Sequence, residues 1–345
     1  MASESDLIDA FLAPFAGGEG VGSDCAVVRV TRGMKLVATT DAVVEGVHFA
    51  LKAGPGIRAS GLRPRASGLR GQAAGLGIWA SGLRPRASGL RPGVATGDGF
   101  SPEDVGWKAL AVNLSDLAAA GARPRWFLCA LGVPRVACAL RVASRMARGM
   151  APLARRFDCA LVGGNVTRAT EWSLTLTALG EARRPLMRTG ARPGDALVVV
   201  GKLGDAAAGL RGSHWGLRAQ RRPEPLVREG MAAGRFASAS IDVSDGFLRD
   251  LGHLCEMSSC GAVVEVRGLP LGPAARARPD GLELALSGGE DYALLLSVPR
   301  RKLAALRRAV GCAEVGRIVR GSGVRLTEGG APRALPRVAG FDHLR

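Results

Sequence analysis

Short apolar blocks of strand length alternate along most of this chain with longer blocks whose apolar positions recur at helical spacing. This alternation is typical of α/β and α+β proteins. The predicted strands are 25–30, 36–40, 126–133, 160–162, 173–180, 239–243, 262–266, 292–298 and 314–319. The predicted helices are 3–15, 101–120, 141–157, 246–257 and 301–310. The apolar run 194–204 begins a second group of elements, so we place two domains at 1–185 and 186–345.

Length and composition agree with two folded domains. The chain has 345 residues, of which 47% are hydrophobic, enough for two sizeable cores and too many for a wholly disordered protein. No apolar run reaches the ~18 residues that a membrane span needs. The first residues, MASESDLIDAF, lack the basic and then apolar pattern of a signal peptide. We therefore expect a cytoplasmic protein with no membrane partner.

The net charge of +17 raises the question of nucleic-acid binding. Much of it comes from one stretch, because the sequence ASGLRPRASGLR occurs at 59–70 and again at 80–91. We interpret 53–96 as a low-complexity, Arg-rich insert, since its Gly and Pro residues break helices and no strand pattern appears. Trp79 is its only aromatic residue, and base stacking needs several. Nucleic acid is therefore not the expected partner.

Cysteine and histidine usage argues against disulfides and zinc. The seven cysteines include no CxxC pair, and the four histidines form no HExxH motif. Free, mostly buried thiols in a reducing compartment are the expectation.

The familiar nucleotide-binding loops are absent. Neither GxxxxGK[ST] nor GxGxxG occurs, and Gly201-Lys202 is followed by Leu203. Short polar motifs instead lie at predicted element ends or within a helix: GSD (22–24), TTD (39–41), NLSD (113–116), GGN (163–165), DVSDG (242–246) and SGGEDY (287–292). Carboxylates on separate segments can hold several Mg²⁺ ions, which then neutralise a polyphosphate.

Each motif alone has a plainer interpretation as a turn or a helix cap. In DVSDG, Ser244 or Asp245 would cap the following helix. Asn113 and Asp116 share one face of a helix that is otherwise apolar, and the alternative there is a solvated edge.

Taken together and in order, the motifs resemble the thiamine-monophosphate kinase family. This family belongs to the superfamily of aminoimidazole ribonucleotide synthetase, selenophosphate synthetase and the hydrogenase-maturation dehydratase. The resemblance covers nearly the whole chain outside the insert, and EGVHF (45–49), NLSDLAA (113–119) and GGEDY (288–292) favour the kinase within the superfamily.

The resemblance implies a two-domain α/β (α+β) fold with an N-terminal mixed sheet that dimerises and a C-terminal α/β domain. It implies ATP-dependent phosphorylation of thiamine monophosphate to thiamine diphosphate by direct in-line transfer, the last step of thiamine diphosphate biosynthesis, with several Mg²⁺ ions. The implied metal positions are Asp24, Thr39, Thr40, Asp41, Asp116, Asn165, Asp242 and Asp245. Those for ATP are Gly164, Asn165, Arg188 and Ser244, and those for thiamine monophosphate are His48, Glu290 and Phe341.

The sequence departs from the family pattern at four positions. Ser23 and Asn165 stand where the family often has aspartate, and Phe341 and Leu344 replace larger or more aromatic residues. Two alternatives stay open: another ATP-using member of the superfamily, and a degenerate relative that binds nucleic acid through the Arg-rich insert.

Overall fold

The computed structural model describes residues 10–11, 13–14, 30–52 and 99–336. The predicted helix 3–15 and strand 25–30 lie largely outside these residues. The insert 53–96, Asp24 and Phe341 lie wholly outside them.

The first half of the chain forms a four-stranded sheet. Its strands are β1 (Lys35–Val44), β2 (Arg123–Val133), β3 (Ala160–Arg168) and β4 (Ser173–Ala182), in the order β1-β4-β2-β3. Strand β4 is antiparallel to both β1 and β2, whereas β2 and β3 run parallel. Side chains on one face alternate with those on the other, and the face that carries Leu176 and Phe127 is buried in the core.

Two helices, α1 (Pro102–Ala119) and α2 (Ala139–Arg156), belong to the same half and pack closely against each other. Gly106 of α1 lies against the backbone of Met146, and Gly149 of α2 lies against that of Glu103; a Cβ at either glycine would approach a carbonyl oxygen to 2.0 Å or less. Helix α1 begins with a capping box in which Ser101 and Asp104 each accept a hydrogen bond from the other's backbone N–H, at 3.1 and 3.0 Å.

The second half forms a seven-stranded mixed sheet in the order β11-β10-β7-β9-β5-β8-β6. Its strands are β5 (Ala196–Val200), β6 (Ala239–Asp242), β7 (Gly261–Glu265), β8 (Leu294–Val298), β9 (Ala313–Val319), β10 (Gly323–Glu328) and β11 (Ala331–Arg333). Its helices are α3 (Asp205–Leu210), α4 (His214–Arg221), α5 (Val227–Ala233), α6 (Phe247–Met257), α7 (Pro273–Arg276), α8 (Gly281–Ser287) and α9 (Arg300–Ala309), with a 3₁₀ turn at Val266–Gly268.

Helix α1 connects the two halves. It contacts β1 and β4 of the first sheet and also β6 of the second. Its buried side chains include the apolar Leu110, Leu114 and Leu117 and the polar Lys108, Asn113 and Ser115. A helix buried on so many sides carries polar residues only where partners meet them, and α1 therefore carries part of the site.

The predicted α/β class with two domains is confirmed. Strand β3 is longer than predicted, since it continues through Gly163 and Asn165 to Arg168. Short helices between 205 and 287 and the hairpin of β10 and β11 were missed. The boundary at 185/186 stays a prediction; it lies between the end of β4 at Ala182 and the start of β5 at Ala196. Among the described residues, no helix has the length and apolarity to cross a bilayer.

Candidate active site

Strand β1 presents the TTD motif on both faces of the first sheet. Asp41 pairs in register with Leu176 and Thr39 with Ala178, so both point to the helix-covered face. Thr40 points to the opposite face, where its hydroxyl donates to the Leu176 carbonyl at 3.0 Å. The strand therefore delivers Thr39 and Asp41, but not the Thr40 hydroxyl, towards helix α1.

The NLSD motif meets these side chains from the middle of α1. The Thr39 hydroxyl donates a 2.5 Å hydrogen bond to Oδ2 of Asp116. One residue earlier, the Ser115 hydroxyl donates to Oδ2 of Asp242 at 2.7 Å. Asp242 is the last residue of β6 and is 3% exposed. Acidic groups from both halves of the chain thus converge on one segment of α1.

Burial and mutual repulsion dominate the electrostatics of this cluster. Desolvation, together with the negative charges of Asp116, Asp250 and Asp41, raises the pKa of Asp242 to about 8. Burial also raises the pKa of Asp116, although the Thr39 hydroxyl and the Arg188 guanidinium act in the opposite direction. The cluster contains more negative charge than its neighbouring cationic side chains balance.

This surplus fits a hard divalent cation. Carboxylate and hydroxyl oxygens are the ligands that Mg²⁺ prefers, and a bound cation would remove the repulsion that raises the pKa of Asp242. Within 30–52 and 99–336, no group of three or more acidic, imidazole or thiol side chains is arranged so that it could hold a metal ion. Substrate phosphates and water often complete magnesium sites, and the predicted ligand Asp24 lies outside the described residues.

The DVSDG and SGGEDY loops lie side by side next to the cluster. The backbone N–H of Glu290 donates to the Ser244 carbonyl at 2.7 Å, and the backbone N–H of Tyr292 donates to the Val243 carbonyl at 2.8 Å. Gly289 allows this approach, because a Cβ there would lie 2.5 Å from the Ser244 carbonyl oxygen. Glu290 and Tyr292 have φ values of 66° and 51°, a region that side chains rarely occupy away from constrained sites.

The alternative in which Ser244 or Asp245 caps the following helix is wrong. The N-cap position of helix α6 is Gly246, which has no side chain to cap the helix. Instead, Asp250 in its first turn accepts the backbone N–H groups of Asp245 and Gly246, at 3.0 and 3.1 Å. Oδ2 of Asp245 lies 3.6 Å from Nε of Arg249. Because Asp250 supplies the cap from within the helix, the Ser244 hydroxyl and the Asp245 carboxylate are not used as caps.

Glu290 lies in a second polar group beside the cluster. It forms an ion pair with Lys108 of α1, which is only 2% exposed, and accepts from Nε2 of Gln220 at 3.2 Å. The Lys108 ammonium lies 5.4 Å from the centre of the Phe100 ring, a favourable cation–π distance. Arg221 is near the same ring, and its buried Nε and Nη2 have no hydrogen-bond partner.

The remaining predicted residues are spread over the first sheet and its loops. His48, in the turn after β1, accepts the Val44 backbone N–H through Nδ1 at 3.2 Å. Gly164 and Asn165 lie on β3, which is separated from β1 by two strands and hence by about 14 Å. The structure does not bring Asn165 next to Asp41, and its metal and ATP roles stay predictions. So does the metal role of Thr40.

Arg188 follows the first sheet and is exposed. Its positive charge offsets part of the rise that burial causes in the pKa of Asp116, so its guanidinium lies near the cluster. The Ser258 hydroxyl donates to the Arg188 backbone carbonyl at 2.9 Å, which attaches this loop to the end of α6.

Sequence reasoning missed Ser115, Asp250, Gln220 and Lys108. Ser115 lies within the NLSDLAA motif and Lys108 lies five residues before it, and a buried polar residue in an apolar helix is a signal for a specific partner. Asp250 and Gln220 carry no such signal, because their partners come from distant segments.

The comparisons with known proteins agree with this geometry. The model of the AIR synthase related protein N-terminal domain matches residues 22–76 and 90–182. The model of the AIR synthase related protein C-terminal domain matches residues 192–329. The hydrogenase maturation protein HypE in complex with ATP has the same fold, with a TM-score of 0.70 at 17% identity.

Several of the proteins similar to this chain are named thiamine-monophosphate kinase. The thiamine-monophosphate kinase of Salmonella typhimurium is 35% identical over 85% of this chain and 80% of that protein. The Haemophilus influenzae protein is 32% identical over 94% and 91%. The crystal structure of the Stenotrophomonas maltophilia thiamine-monophosphate kinase is 31% identical, with a TM-score of 0.72 over 96% of this chain and 98% of that one. AaThiL complexed with AMPPCP and TMP is 27% identical, with a TM-score of 0.68 over 98% and 96%. This chain therefore belongs to the thiamine-monophosphate kinase family, within the AIR synthase related proteins.

Proposed function

We propose that this protein transfers the γ-phosphoryl group of ATP to thiamine monophosphate and produces thiamine diphosphate, the last step of that biosynthesis. The observation that carries the proposal is the convergence of Asp116 from the first half and Asp242 from the second on helix α1. The structure of AaThiL with AMPPCP and TMP supports the choice of substrates, and the curated relatives share the same activity in their names.

The acidic cluster is the proposed site of Mg²⁺. Asp41, Asp116 and Asp242 would hold the ions, with Asp24 and Asp245 as further predicted ligands. Mg²⁺ held by these residues would supply positive charge that offsets the negative charge developing on the phosphates during transfer. Asp242 must release its proton to bind the metal, and the Ser115 hydroxyl stabilises the resulting carboxylate.

Arg188 is the proposed phosphate contact at the edge of this cluster. Its guanidinium is exposed, lies near Asp116, and can donate two parallel hydrogen bonds to phosphate oxygens. No protein nucleophile is required, since the acceptor phosphate is already an anion at neutral pH. Transfer then depends on positioning and charge neutralisation.

The Glu290 group is the proposed site of the thiamine ring system. Glu290 forms an ion pair with Lys108, and the Lys108 ammonium and the Arg221 guanidinium both lie near the Phe100 ring. The Glu290 carboxylate can accept hydrogen bonds from an aminopyrimidine, and Gln220 fixes the second oxygen at 3.2 Å. His48 and Phe341 are the other predicted ring contacts.

A homodimer is also proposed, on the family resemblance. The side of the first sheet opposite to its helices carries the exposed side chains of Leu36, Ala38 and Thr40 on β1. Light scattering coupled to gel filtration tests this proposal: a mass near twice 35.6 kDa is expected, and a monomer at micromolar concentration would contradict it.

The function is tested by incubating the purified protein with ATP, Mg²⁺ and thiamine monophosphate and measuring thiamine diphosphate by chromatography. Thiamine diphosphate formed in equal amount with ADP is expected. ADP formed only with an aminoimidazole ribonucleotide precursor would favour another member of the superfamily. Absence of any product, together with tight and salt-sensitive RNA binding, would favour the degenerate relative.

A further inference from the structure

The C-terminus of helix α6 brings two cysteines together. The backbone N–H of Cys260 donates to the Cys255 carbonyl at 2.9 Å, and that of Ser259, whose φ is 50°, donates to Glu256 at 3.1 Å. This pair of bonds defines a Schellman motif, which places the side chains of its first and last residues in contact. The side chains of Cys255 and Cys260 therefore lie next to each other in the core of the second half.

A cavity of about 390 Å³ reaches this pair. It is lined by both cysteines together with Glu256, Ser259 and Ser322. Cys255 and Cys260 are each only 2% exposed, so large reagents have little access to the sulfurs. A small oxidant can approach through the cavity.

Ser258, which lies between the two cysteines in the sequence, is hydrogen-bonded to the loop that carries Arg188. The Ser258 hydroxyl donates to the Arg188 carbonyl at 2.9 Å and accepts the Ala191 backbone N–H at 3.2 Å. Ser258 therefore holds both ends of the short loop that carries Arg188. A change in the Schellman motif would be transmitted to this loop through two hydrogen bonds.

We propose that Cys255 and Cys260 form a site of reversible oxidation, in which a hydroperoxide converts the two thiols into a disulfide. We further infer that the disulfide displaces Ser258, releases the Arg188 loop and weakens nucleotide binding; this second part rests on the proposed function. Bonding requires the sulfurs to move from contact to about 2.05 Å, and Ser258 lies inside the six-residue loop that this closes.

The chemistry balances with hydrogen peroxide as the oxidant. The Cys260 thiolate attacks one peroxide oxygen, which gives a sulfenic acid and hydroxide, and the hydroxide takes up the proton that the thiol had lost to form water. The Cys255 thiol then attacks the sulfenic sulfur, the S–S bond forms, and a second water leaves. Two thiols lose two electrons in total, and peroxide becomes two waters.

The balance is the same whichever of the two thiols attacks the peroxide first. Burial raises the pKa of both thiols, that of Cys255 to about 12. The thiolate fraction at neutral pH is therefore small, and the site responds to prolonged exposure rather than to a brief pulse.

The test uses the full-length reduced protein exposed to hydrogen peroxide. Tryptic peptide 250–267 contains both cysteines; it should lose two hydrogen atoms and resist alkylation. The dissociation constant of a non-hydrolysable ATP analogue should rise about fivefold, as expected for one lost hydrogen bond. Dithiothreitol should reverse both changes. Cys255→Ser and Cys260→Ser should each abolish them, while Cys138→Ser, which changes a cysteine outside the pair, should keep both.

A second variant tests the connection to Arg188 without oxidation. Ser258→Ala should raise the dissociation constant of the analogue about fivefold in the reduced protein, and Ser258→Thr, which keeps the hydroxyl, should restore it. A peptide 250–267 that stays fully alkylated when Cys138 is already oxidised would overturn the oxidation site. A mapped disulfide with unchanged nucleotide affinity would overturn the connection. Reduced wild-type protein that binds no nucleotide would overturn the proposed function, whereas the peptide map would still decide the oxidation site.

Discussion

The Ser115 hydroxyl, in the middle of helix α1, donates a 2.7 Å hydrogen bond to Oδ2 of Asp242 at the end of β6. Both side chains are buried, and they belong to different halves of the chain. This contact fixes the position of one half of the acidic cluster relative to the other. Because Asp116 follows Ser115 directly, one turn of α1 positions Asp116 itself and, through Ser115, Asp242.

Magnesium should stabilise the protein more strongly as the pH rises. The folded-state pKa of Asp242 is about 8, above the ordinary 3.8, so the metal-free protein loses stability from about pH 4 and continues to lose it up to about pH 8. Mg²⁺ binds the ionised carboxylate and competes with protons there. The increase in melting temperature with Mg²⁺ should therefore be larger at pH 9 than at pH 6, as measured by calorimetry.

Asp242→Asn isolates this effect. Asp250, whose pKa is raised to about 7, and Asp291, whose pKa is raised by burial, are present in both proteins. In both proteins they also lower the free energy of unfolding as the pH rises. The difference between the two proteins thus reports the titration of Asp242 together with its repulsion of Asp116 and Asp250. An equal magnesium effect at both pH values in the wild type would show that Asp242 does not bind the metal.

Removal of the Lys108 ammonium should destabilise the protein strongly. Lys108→Met leaves Glu290, which is 24% exposed, without its ion-pair partner, and breaking such a pair costs about 3 kcal/mol. The double variant Lys108→Met with Glu290→Gln should recover much of this loss. Urea denaturation measures all three free energies of unfolding.

The matched control is Arg300→Met, which breaks the exposed pair with Glu314. Its cost should stay within about 0.5 kcal/mol. Equal costs for the two single variants would mean that the Lys108–Glu290 pair is no more than a surface contact.

A methyl group at Gly289 should separate the DVSDG and SGGEDY loops. In Gly289→Ala, the Cβ would lie 2.5 Å from the Ser244 carbonyl oxygen, so the two loops must move apart and Glu290 moves with them. We expect kcat/KM for thiamine monophosphate to fall about 100-fold, as misplacement near 1 Å does. Gly311→Ala, where no atom lies within 4 Å of the added Cβ, should leave it unchanged. Wild-type kinetics in Gly289→Ala would show that the contact of the loops does not position Glu290.

Deletion of the insert should leave the site intact. Lys52 and Phe100, on either side of it, are joined by a 2.9 Å backbone hydrogen bond, and Phe100 donates to the Ala50 carbonyl at 2.7 Å. A deletion of 53–96 with a short Gly-Ser connection should therefore change kcat/KM less than about twofold, since loop length contributes little to stability. Salt-dependent retention on heparin should fall, because the insert is rich in arginine. A loss of activity above tenfold would assign the insert a catalytic role.

Much of the architecture followed from the sequence because its signals are local. The Ser101-Pro102-Glu103 start of α1 and the following Gly121 predicted the helix to within one residue. The apolar run 292–298 predicted β8, and the run 194–204, named as the start of the second group of elements, contains β5. Both runs are continuously apolar because these strands are buried on both faces. The short helices α3, α7 and α8 were missed because helices of four to seven residues have too few turns to show a period.

The contacts of the candidate site were less predictable than its motifs. The motif order singled out Asp116 and Asp242, whose metal roles stay predictions, and nothing in the sequence states that Ser115 lies between the two halves of the chain. The alternative of a solvated edge at Asn113 is wrong, since that side chain is fully buried and donates to the Ala109 carbonyl at 3.0 Å. The alternation of β1 separates Thr39 and Asp41 from Thr40, which a list of motif positions does not reveal.

The central claim is that carboxylates from both halves of the chain bind cations that hold the nucleotide. The most direct measurement is the dissociation constant of a non-hydrolysable ATP analogue, by calorimetry, with Mg²⁺ and with EDTA. The wild type should bind only with Mg²⁺, and Asp116→Asn and Asp242→Asn should each weaken binding at least about tenfold, whereas Asp158→Asn, at an exposed position, should bind as the wild type does. Equal affinity with Mg²⁺ and EDTA, or unchanged binding in both cluster variants, would contradict the claim.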